Sequence, residues 1–282
     1  MFIVDSQVHI WAADTPERPW VTDSPAKPHK ERPFTADDLL ASMKEAGVSR
    51  CVLVPPSWEG DRNDVALEAA RRHPDVFAVT GRVSMEAPDR REQISGWMDQ
   101  PGMLGLRLTL RTERERRLLY DPAEDWVWSL AEEKGVPLLV YPNGQLEALS
   151  KVLASHPGLR LVIDHLGLRR GKDEAAKVDI PLLVEMASRP NTAVKASCVP
   201  FYSSQPYPYR NMFDAVRSVI DAYGPERVFW GSDLTRMPCT YTQCVTMYTE
   251  EMPWLSGEAL EQVMGRALCS WLDWPIGRSD AV

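Results

Sequence analysis

Seven polar or charged side chains follow short apolar runs of the chain, each near the point where one run ends. They offer amide, imidazole, guanidinium, phenol, ammonium and carboxylate groups, at Gln7, His9, Arg107, Tyr141, His165, Lys195 and Asp233. A carboxylate or an imidazole can accept a proton from water, and a cation can stabilise the oxyanion that forms when water attacks a carbonyl carbon. These residue types point to hydrolysis, provided that the fold brings the run ends together.

The apolar runs have the length and composition of buried strands. They cover residues 2–4, 50–55, 76–79, 102–108, 136–141, 159–165, 191–196 and 227–233. Helical patterns alternate with them over 35–47, 61–73, 90–99, 122–134, 145–156, 180–189, 211–223 and 257–272. Apolar strands separated by helices predict a parallel sheet that is covered on both faces. Eight such units favour a closed barrel, so we expect an α/β fold, a single (β/α)8 TIM barrel domain over 1–282, with its chemistry at the strand ends.

Side chains alternate along a strand, which predicts the residues that face the same way as each strand-end group. Counting in steps of two gives four inward-facing sets: Asp5, Gln7 and His9; Gly105, Arg107 and Thr109; Leu161, Ile163 and His165; and Phe229, Gly231 and Asp233. A single strand-end histidine is more often a residue without a chemical role. Seven such groups at six strand ends are harder to explain by structure alone.

Composition limits the classes of partner. The net charge of −8 argues against nucleic acid or an anionic membrane as a general partner. No apolar stretch is long enough for a transmembrane helix, and the N-terminus has no signal-peptide pattern. The five cysteines are scattered, with no Cys-x-x-Cys, so we expect core or surface thiols in a reducing, cytoplasmic setting.

Residues 12–34 are rich in proline and are predicted to form a long loop. Long ordered loops in compact domains are often functional, so we interpret this one as a flap over the strand ends. Trp20 and His29 are candidates to line the site from the flap. For His29, a solvated position on the loop surface is the more common outcome.

The motifs at the strand ends resemble those of the amidohydrolase-2 branch of the amidohydrolase superfamily. The resemblance is carried by residues 4–11 (Val-Asp-Ser-Gln-Val-His-Ile-Trp), 105–107 (Gly-Leu-Arg), 162–167 (Val-Ile-Asp-His-Leu-Gly) and 229–233 (Phe-Trp-Gly-Ser-Asp). That branch includes pyrone-dicarboxylate lactonase, sugar lactonases, sulfomuconolactonase and metal-dependent decarboxylases. The resemblance implies a barrel enzyme that hydrolyses a small molecule.

The resemblance also implies a metal site, from which this sequence departs. Metal-binding members hold one divalent ion with a His-x-His pair, a histidine that ends strand five and the aspartate that ends strand eight. This sequence has Gln7 at the first of these positions and Tyr141 at the third, and it keeps His9 and Asp233. Glutamine and neutral tyrosine are poor ligands for zinc, and a catalytic metal usually needs three protein ligands. We therefore predict no metal ligands and no required cofactor.

The resemblance and the residue types together predict a lactonase. Asp233 is the expected general base, His165 would orient the water, and Arg107, His9 and Lys195 would stabilise the oxyanion. A lactone suits a site without metal, because its alcohol is easier to expel than an amide nitrogen. Cationic groups at the mouth, including Arg169, favour an anionic, carboxylated small molecule. The predicted substrate-binding residues are Gln7, Tyr141, Lys195, Trp11, Arg236, Tyr202 and Tyr207.

Two other functions stay open at this point. One is a metal-dependent hydrolase or nonoxidative decarboxylase with zinc or manganese at His9, His165 and Asp233. The other is an inactive barrel that only binds a ligand. Homo-oligomerisation is also open, since five tryptophans could form an interface: Trp126, Trp128, Trp254, Trp271 and Trp274.

Overall fold

Eight parallel strands form one sheet that curls almost completely into a barrel. The computed structural model describes residues 1–22, 24 and 26–277. The strands are β1 Val4–Val8, β2 Arg50–Leu53, β3 Phe77–Gly81, β4 Met103–Leu108, β5 Leu138–Val140, β6 Leu161–Ile163, β7 Thr192–Ser197 and β8 Val228–Gly231. Each strand pairs with the next in chain order. The predicted α/β barrel is therefore confirmed, with the strand ends gathered at one edge.

Helices surround the barrel. They are α1 Ala36–Ala46, α2 Asp64–Arg72, α3 Arg90–Ser95, α4 Glu113–Tyr120, α5 Trp126–Glu133, α6 Leu146–Ser155, α7 Ile180–Met186, α8 Phe213–Tyr223, α9 Tyr241–Thr249, α10 Gly257–Glu261 and α11 Ala267–Trp271. The first begins and ends where the sequence predicts, at a Thr35 capping box and at Gly47 in the left-handed region. Within the described part of the chain, no helix has both the length and the apolar character needed to span a membrane.

The join between β8 and β1 depends largely on one buried carboxylate. Asp5 accepts hydrogen bonds from the Ser232 backbone N–H, the Ser232 hydroxyl and the Tyr241 hydroxyl of α9. One backbone hydrogen bond also crosses this join, from Asp233 N–H to the Gln7 carbonyl at 2.8 Å. Burial raises the pKa of Asp5 to about 6, although these hydrogen bonds oppose the shift. The end of β1 is thus fixed beside the end of β8.

The interior of the barrel is an apolar layer with residues from all eight strands. It includes Val4, Val52, Ala78, Leu104, Leu139, Val162, Ala193 and Phe229. Leu161 and Ile163 instead pack in the larger core cluster, so the prediction that they face inward with His165 is wrong. The residue of β6 that faces inward is Val162, one position away from the predicted set. The error has a local cause, because His165 leaves the extended conformation and no longer follows the strand's alternation.

The inward set predicted for β1 also needs a correction. Val4 is part of the interior layer, whereas Val8 packs in the other cluster. The pairing register of β1 with β2 shifts between Asp5 and Val8, which marks a bulge. After a bulge, residues two apart no longer face the same side of a strand. Asp5 therefore faces the join, where it accepts hydrogen bonds from Ser232 and from Tyr241 of α9, and Gln7 faces the other side.

Two helices were not predicted. The first, α4, is very polar, with only Leu118 buried. The second, α9, is rich in threonine and other residues with modest helix propensity. Both begin with a capping box, Thr112 with Glu115 and Thr240 with Gln243, and this was the available sequence signal.

The five tryptophans proposed for an interface do not form one exposed set. Trp128 is fully buried and its indole N–H donates to the Leu118 carbonyl at 2.7 Å, so it belongs to the core. Trp274 is buried as well, whereas Trp126, Trp254 and Trp271 are half-buried. Trp126 is covered by the Arg90 and Arg91 guanidinium groups. Trp128 and Trp274 are therefore removed from the proposed interface.

Candidate active site

Three successive strands end in a residue with left-handed backbone geometry. His165 follows β6 with φ 55°, Cys198 follows β7 with φ 62°, and Asp233 follows β8 with φ 56°. This conformation costs on the order of 1–3 kcal/mol for residues other than glycine, and it clusters at functional sites. The turn directs each side chain toward the same region, where one ligand atom from each lies within 4.8 Å of those of the other two.

Asp233 and His9 form the centre of the site. The His9 Nδ1–H donates to the Val54 carbonyl at 2.6 Å, because a carbonyl oxygen can only accept. Its Nε2 therefore faces Asp233 Oδ1, at 3.3 Å. Burial alone would raise the pKa of Asp233. The hydrogen bond and charge of His9, and the charge of Arg236, whose Nε is 3.6 Å from Asp233 Oδ2, outweigh burial and hold the pKa of Asp233 well below its usual range. Asp233 is thus ionised at neutral pH.

His165 is neutral at physiological pH. Its Nδ1 is 2.9 Å from the Ser197 hydroxyl, and its ring contacts the Tyr141 ring edge-on, with centroids 5.5 Å apart. Burial lowers the pKa of His165 to about 3, although Asp233 and Asp164 oppose that shift. The imidazole can therefore accept a hydrogen bond from water or substrate through a ring nitrogen.

A buried charge network supports the site from inside the barrel. Asp164 Oδ2 is 2.7 Å from Arg107 Nε, and Asp164 Oδ1 is 3.2 Å from Lys195 Nζ. Lys195 also donates to Gln7 Oε1 at 2.9 Å and has no exposed surface. Burial raises the pKa of Asp164, but Arg107 and Lys195 outweigh it, so the carboxyl is ionised. The ion pairs compensate charges that would otherwise be very unfavourable in the interior.

The inner cavity above this network is small. It has a volume of about 30 Å³, which is room for a water molecule or two. His9, His165 and Asp233 line it together with four arginines: Arg82, Arg107, Arg111 and Arg236. The arrangement puts two groups able to accept a proton beside several cations at the ends of the strands.

An outer cavity of about 540 Å³ adjoins the inner one. Both are lined by Ala26, His29, Arg111 and Arg236, which form the wall between them. Tyr141, Tyr202 and Phe201 give the outer cavity an aromatic side, and Arg170 and Lys172 add positive charge. This volume is in the range of small-molecule sites.

Arg111 is the cation of the wall without an acidic partner. Among the described residues, no carboxylate lies within ion-pair distance of it, whereas Arg82, Arg107 and Arg236 each have at least one. Its guanidinium lies over the Tyr141 ring, 5.2 Å from the centroid. Burial and the neighbouring arginines lower its pKa, yet an arginine keeps its charge at neutral pH. A charge that is mostly buried and has no acidic partner is a place for an anionic ligand.

His29 brings the 12–34 loop into the site. Its Nδ1 is 2.8 Å from the Thr235 hydroxyl, and Arg236 donates to its Nε2 at 3.3 Å. Its ring packs edge-on against Trp58, with centroids 4.9 Å apart, and burial lowers its pKa to about 3. The common outcome of a solvated loop histidine does not apply here. Trp20 is not among the residues that line either cavity, and positions 23 and 25 of the loop lie outside the described residues.

The structure brings together most of the predicted site but not all of it. His9, Arg107, His165, Asp233 and Arg236 line the inner cavity, and Tyr141 and Tyr202 line the outer one. Four predicted substrate-binding residues line neither cavity: Gln7, Trp11, Lys195 and Tyr207.

Each of these four residues has another contact in the structure. Gln7 and Lys195 hydrogen-bond each other inside the barrel. The Trp11 ring packs edge-on against the Trp58 ring, with centroids 5.2 Å apart, and the Tyr207 hydroxyl hydrogen-bonds to the Thr246 hydroxyl of α9. The guanidinium of Arg169, expected at the mouth, pairs with Asp179.

Four residues of the site were not predicted from the sequence. Arg82 and Arg111 come just after β3 and β4, Asp164 adjoins the predicted His165, and Cys198 directly follows β7. Three of them directly follow a strand of the structure, but the strands predicted to end at residues 79 and 196 stop short of Arg82 and Cys198, so the strand pattern reached only Asp164. Arg111 lies three residues beyond the end of β4, so no strand pattern reaches it.

The residues at the centre fit a divalent metal. His165, Cys198 and Asp233 offer nitrogen, sulfur and oxygen ligands, which is a set that zinc accepts. His9 is a fourth candidate, since a carbonyl acceptor on one ring nitrogen is the usual support of a metal-binding histidine. Cys198 is the ligand missing from the alternative set predicted from the sequence. A metal held here would polarise a carbonyl or lower the pKa of a bound water.

A family model described as amidohydrolase matches residues 4–275. The chain belongs to the amidohydrolase family. The sequence-based resemblance is confirmed, and the protein is a member of a family of hydrolases.

Individual relatives agree with that assignment. The chain is 29% identical over 240 residues to an L-fucono-1,5-lactonase of Burkholderia ambifaria, covering 82% of this chain and 80% of that protein. Two solved structures share the fold. One is an amidohydrolase of Burkholderia multivorans with bound zinc, with TM-score 0.79, 21% identity and coverage of 98% and 100%. The other is a probable 2-pyrone-4,6-dicarboxylic acid hydrolase of Acinetobacter baumannii with citric acid bound, with TM-score 0.78, 17% identity and coverage of 97% and 100%.

Proposed function

We propose that this amidohydrolase opens a small anionic lactone by attack of water. The observation that carries the proposal is an ionised carboxylate, Asp233, that shares a cavity of one or two waters with neutral His165 and several arginines. The lactonase name of the Burkholderia ambifaria relative supports the choice of a ring ester as substrate.

Asp233 is the proposed general base. A carboxylate with such a low pKa is a weak base, so it accepts the proton only as the water oxygen bonds to the carbonyl carbon. Neutral His165 would orient that water through a ring nitrogen. Weak bases suffice only when the carbonyl is activated, which a strained or conjugated lactone provides and an amide does not.

Arg107, Arg82 and His9 are the proposed stabilisers of the oxyanion. All three line the inner cavity, and polar groups placed in advance, here two guanidinium groups and an imidazole, stabilise developing charge more than solvent does. Lys195 does not line the cavity, so we assign it a positioning role. It holds Asp164, and Asp164 in turn fixes the Arg107 guanidinium through its Nε at 2.7 Å. The leaving alkoxide would take its proton from the Asp233 carboxyl, which holds the proton that it accepted from the attacking water.

The carboxylate of the substrate would bind Arg111. This side chain lies between the two cavities and has no acidic partner among the described residues, so an anion would compensate its charge. Arg170 and Lys172 would attract the anion toward the outer cavity, despite the overall charge of −8. The lactone ring would then reach Asp233 through the wall that His29 and Arg236 form.

We propose further that hydrolysis does not need a metal. The only metal-binding atom of Gln7, its Oε1, already accepts a hydrogen bond from Lys195. Tyr141 is poor as a ligand while its phenol is protonated. The second candidate function is a metal-dependent lactonase, which is favoured by the cluster of His165, Cys198 and Asp233.

One experiment separates the two. The purified protein is dialysed against a strong chelator, its metal content is measured, and it is assayed with a panel of carboxylated and neutral lactones. Undiminished activity with carboxylated lactones, abolished by Asp233→Asn and kept by Asp179→Asn, supports the metal-free proposal. Asp179 is a matched control because its carboxylate pairs with Arg169 and lines neither cavity.

Other outcomes contradict parts of the proposal. Loss of activity on chelation, with recovery on adding zinc or manganese, would establish the metal-dependent candidate. Cys198→Ser would then weaken metal binding measured by calorimetry. Absence of lactone hydrolysis under every condition would overturn the proposed function itself.

A further inference from the structure

Two cysteines beyond the site lie with their sulfur atoms in contact. The Sγ atoms of Cys239 and Cys244 are 3.6 Å apart, and both thiols are free. Thr240 between them is the N-cap of α9, with a complete capping box to Gln243. Cys239 thus precedes the N-cap and Cys244 is the fourth helical residue, which are the two positions of a hydrophobic staple. The start of the helix therefore brings these thiols together.

The two thiols differ in exposure and acidity. Cys239 is half-buried, whereas Cys244 is 2% exposed. A hydrogen bond from Cys244 lowers the pKa of Cys239, and burial opposes that shift, while the Tyr209 hydroxyl adds to it. The same contact with Cys239, together with burial, raises the pKa of Cys244 well above its usual range. An accessible, more acidic thiol beside a buried one is the arrangement of an attacking and a resolving cysteine.

We propose that Cys239 and Cys244 form an oxidisable pair, a modification site that hydrogen peroxide converts to an intramolecular disulfide. The Cys239 thiolate attacks one peroxide oxygen, the O–O bond breaks, and the departing hydroxide takes a proton to become water. Cys244 then loses its proton and attacks the sulfenic sulfur, the S–S bond forms, and the S–O bond breaks to release a second water. The two thiols lose two electrons, and one peroxide is reduced to two waters.

Closure of the disulfide would act on the wall of the active site. The sulfur atoms must approach from 3.6 Å to about 2.0 Å, which draws the segment before α9 toward the helix. That segment follows the turn Leu234–Arg236, and Arg236 lines both cavities and contacts Asp233 and His29. We therefore expect oxidation to shift Arg236 and to lower activity.

The test is peroxide titration of the native protein, followed by alkylation of the remaining thiols, trypsin digestion and mass spectrometry. Both cysteines fall in one tryptic peptide, residues 237–266, because no lysine or arginine lies between Arg236 and Arg266. The expected product is this peptide about 2 Da lighter and without alkyl groups, restored by dithiothreitol. Cys244→Ser should leave a sulfenic acid on Cys239 that dimedone traps, and Cys239→Ser should give neither product. Cys51→Ala is the control, because it removes a buried thiol away from the pair and should still give the light peptide.

The inference is overturned if peptide 237–266 carries two alkyl groups at peroxide concentrations that oxidise free glutathione. It is also overturned if Cys239 forms its disulfide with a different cysteine. The mass readout does not depend on the proposed function. The effect on activity does depend on it, and that part fails if the disulfide forms while lactone hydrolysis stays unchanged.

Discussion

The charge of Arg111 gives the sharpest test of how the substrate is recognised. Arg111→Met removes the guanidinium and keeps a side chain of similar length that can pack on the Tyr141 ring. A hydrogen bond between a charged donor and a carboxylate contributes about 1.5–3 kcal/mol. At about 1.4 kcal/mol for each factor of ten, KM for a carboxylated lactone should rise roughly 10- to 150-fold. With a neutral sugar lactone, KM should change by less than about threefold, because that substrate has no carboxylate to lose its partner.

Arg169→Met is the matched control, because it makes the same change in net charge at an arginine whose guanidinium pairs with Asp179. We expect it to leave KM unchanged for both lactones. Steady-state kinetics on the four combinations of variant and substrate give the answer. The thermal midpoint of Arg111→Met should not fall, because this charge has no acidic partner in the described part of the chain. An equal rise in KM for the charged and the neutral lactone, or no rise at all, would refute the assignment of Arg111.

Three further predictions concern the network, the loop and the pH profile. Lys195→Met should lower the free energy of unfolding by about 3 kcal/mol in urea titrations, because it leaves the buried Asp164 carboxylate with Arg107 as its remaining cationic partner. The control Lys151→Met, at an exposed ion pair, should change that free energy by less than about 1 kcal/mol. Equal effects of the two substitutions would contradict the role of the network. His29→Ala should join the inner and outer cavities and make Trp58 fluorescence more sensitive to iodide quenching, and unchanged quenching would contradict the placement of the loop. Asp233 and His165 must both be unprotonated to act, and both have lowered pKa values. A plot of kcat/KM against pH should therefore be flat from about pH 5 to 7 and fall only toward about pH 3. A fall in kcat/KM that begins near pH 6 would contradict this assignment.

The barrel could be predicted from the sequence because its strands are buried, and burial alone makes them visible as short apolar runs. All eight predicted strands exist, with ends displaced by a few residues. The chemistry at their ends was also visible, since polar groups directly after buried strands are rare without a role. What the sequence did not show is the backbone geometry after the strands. Alternation continues only while the chain is extended, and His165 lies just past that limit.

The bulge in β1, and the partners of Lys195, illustrate a second limit of prediction from the sequence. Side-chain partners that are far apart in sequence, such as Lys195 and Gln7, are not encoded in any local pattern. The sequence predicted Lys195 as a substrate-binding residue, whereas in the structure it pairs with Asp164 inside the barrel and does not line the inner cavity. The helices α4 and α9 show the opposite case, because their starts are marked in the sequence by local capping boxes and not by a clear apolar stripe.

The left-handed turns after β6, β7 and β8 bear on any attempt to make this protein more heat-resistant. Glycine is the residue best suited to that backbone geometry, so a screen for thermostability alone should enrich glycine at 165, 198 and 233. Those same substitutions delete the imidazole, the thiol and the carboxylate. Variants that survive the hottest selection would then be well-folded barrels with nothing left to act on a substrate.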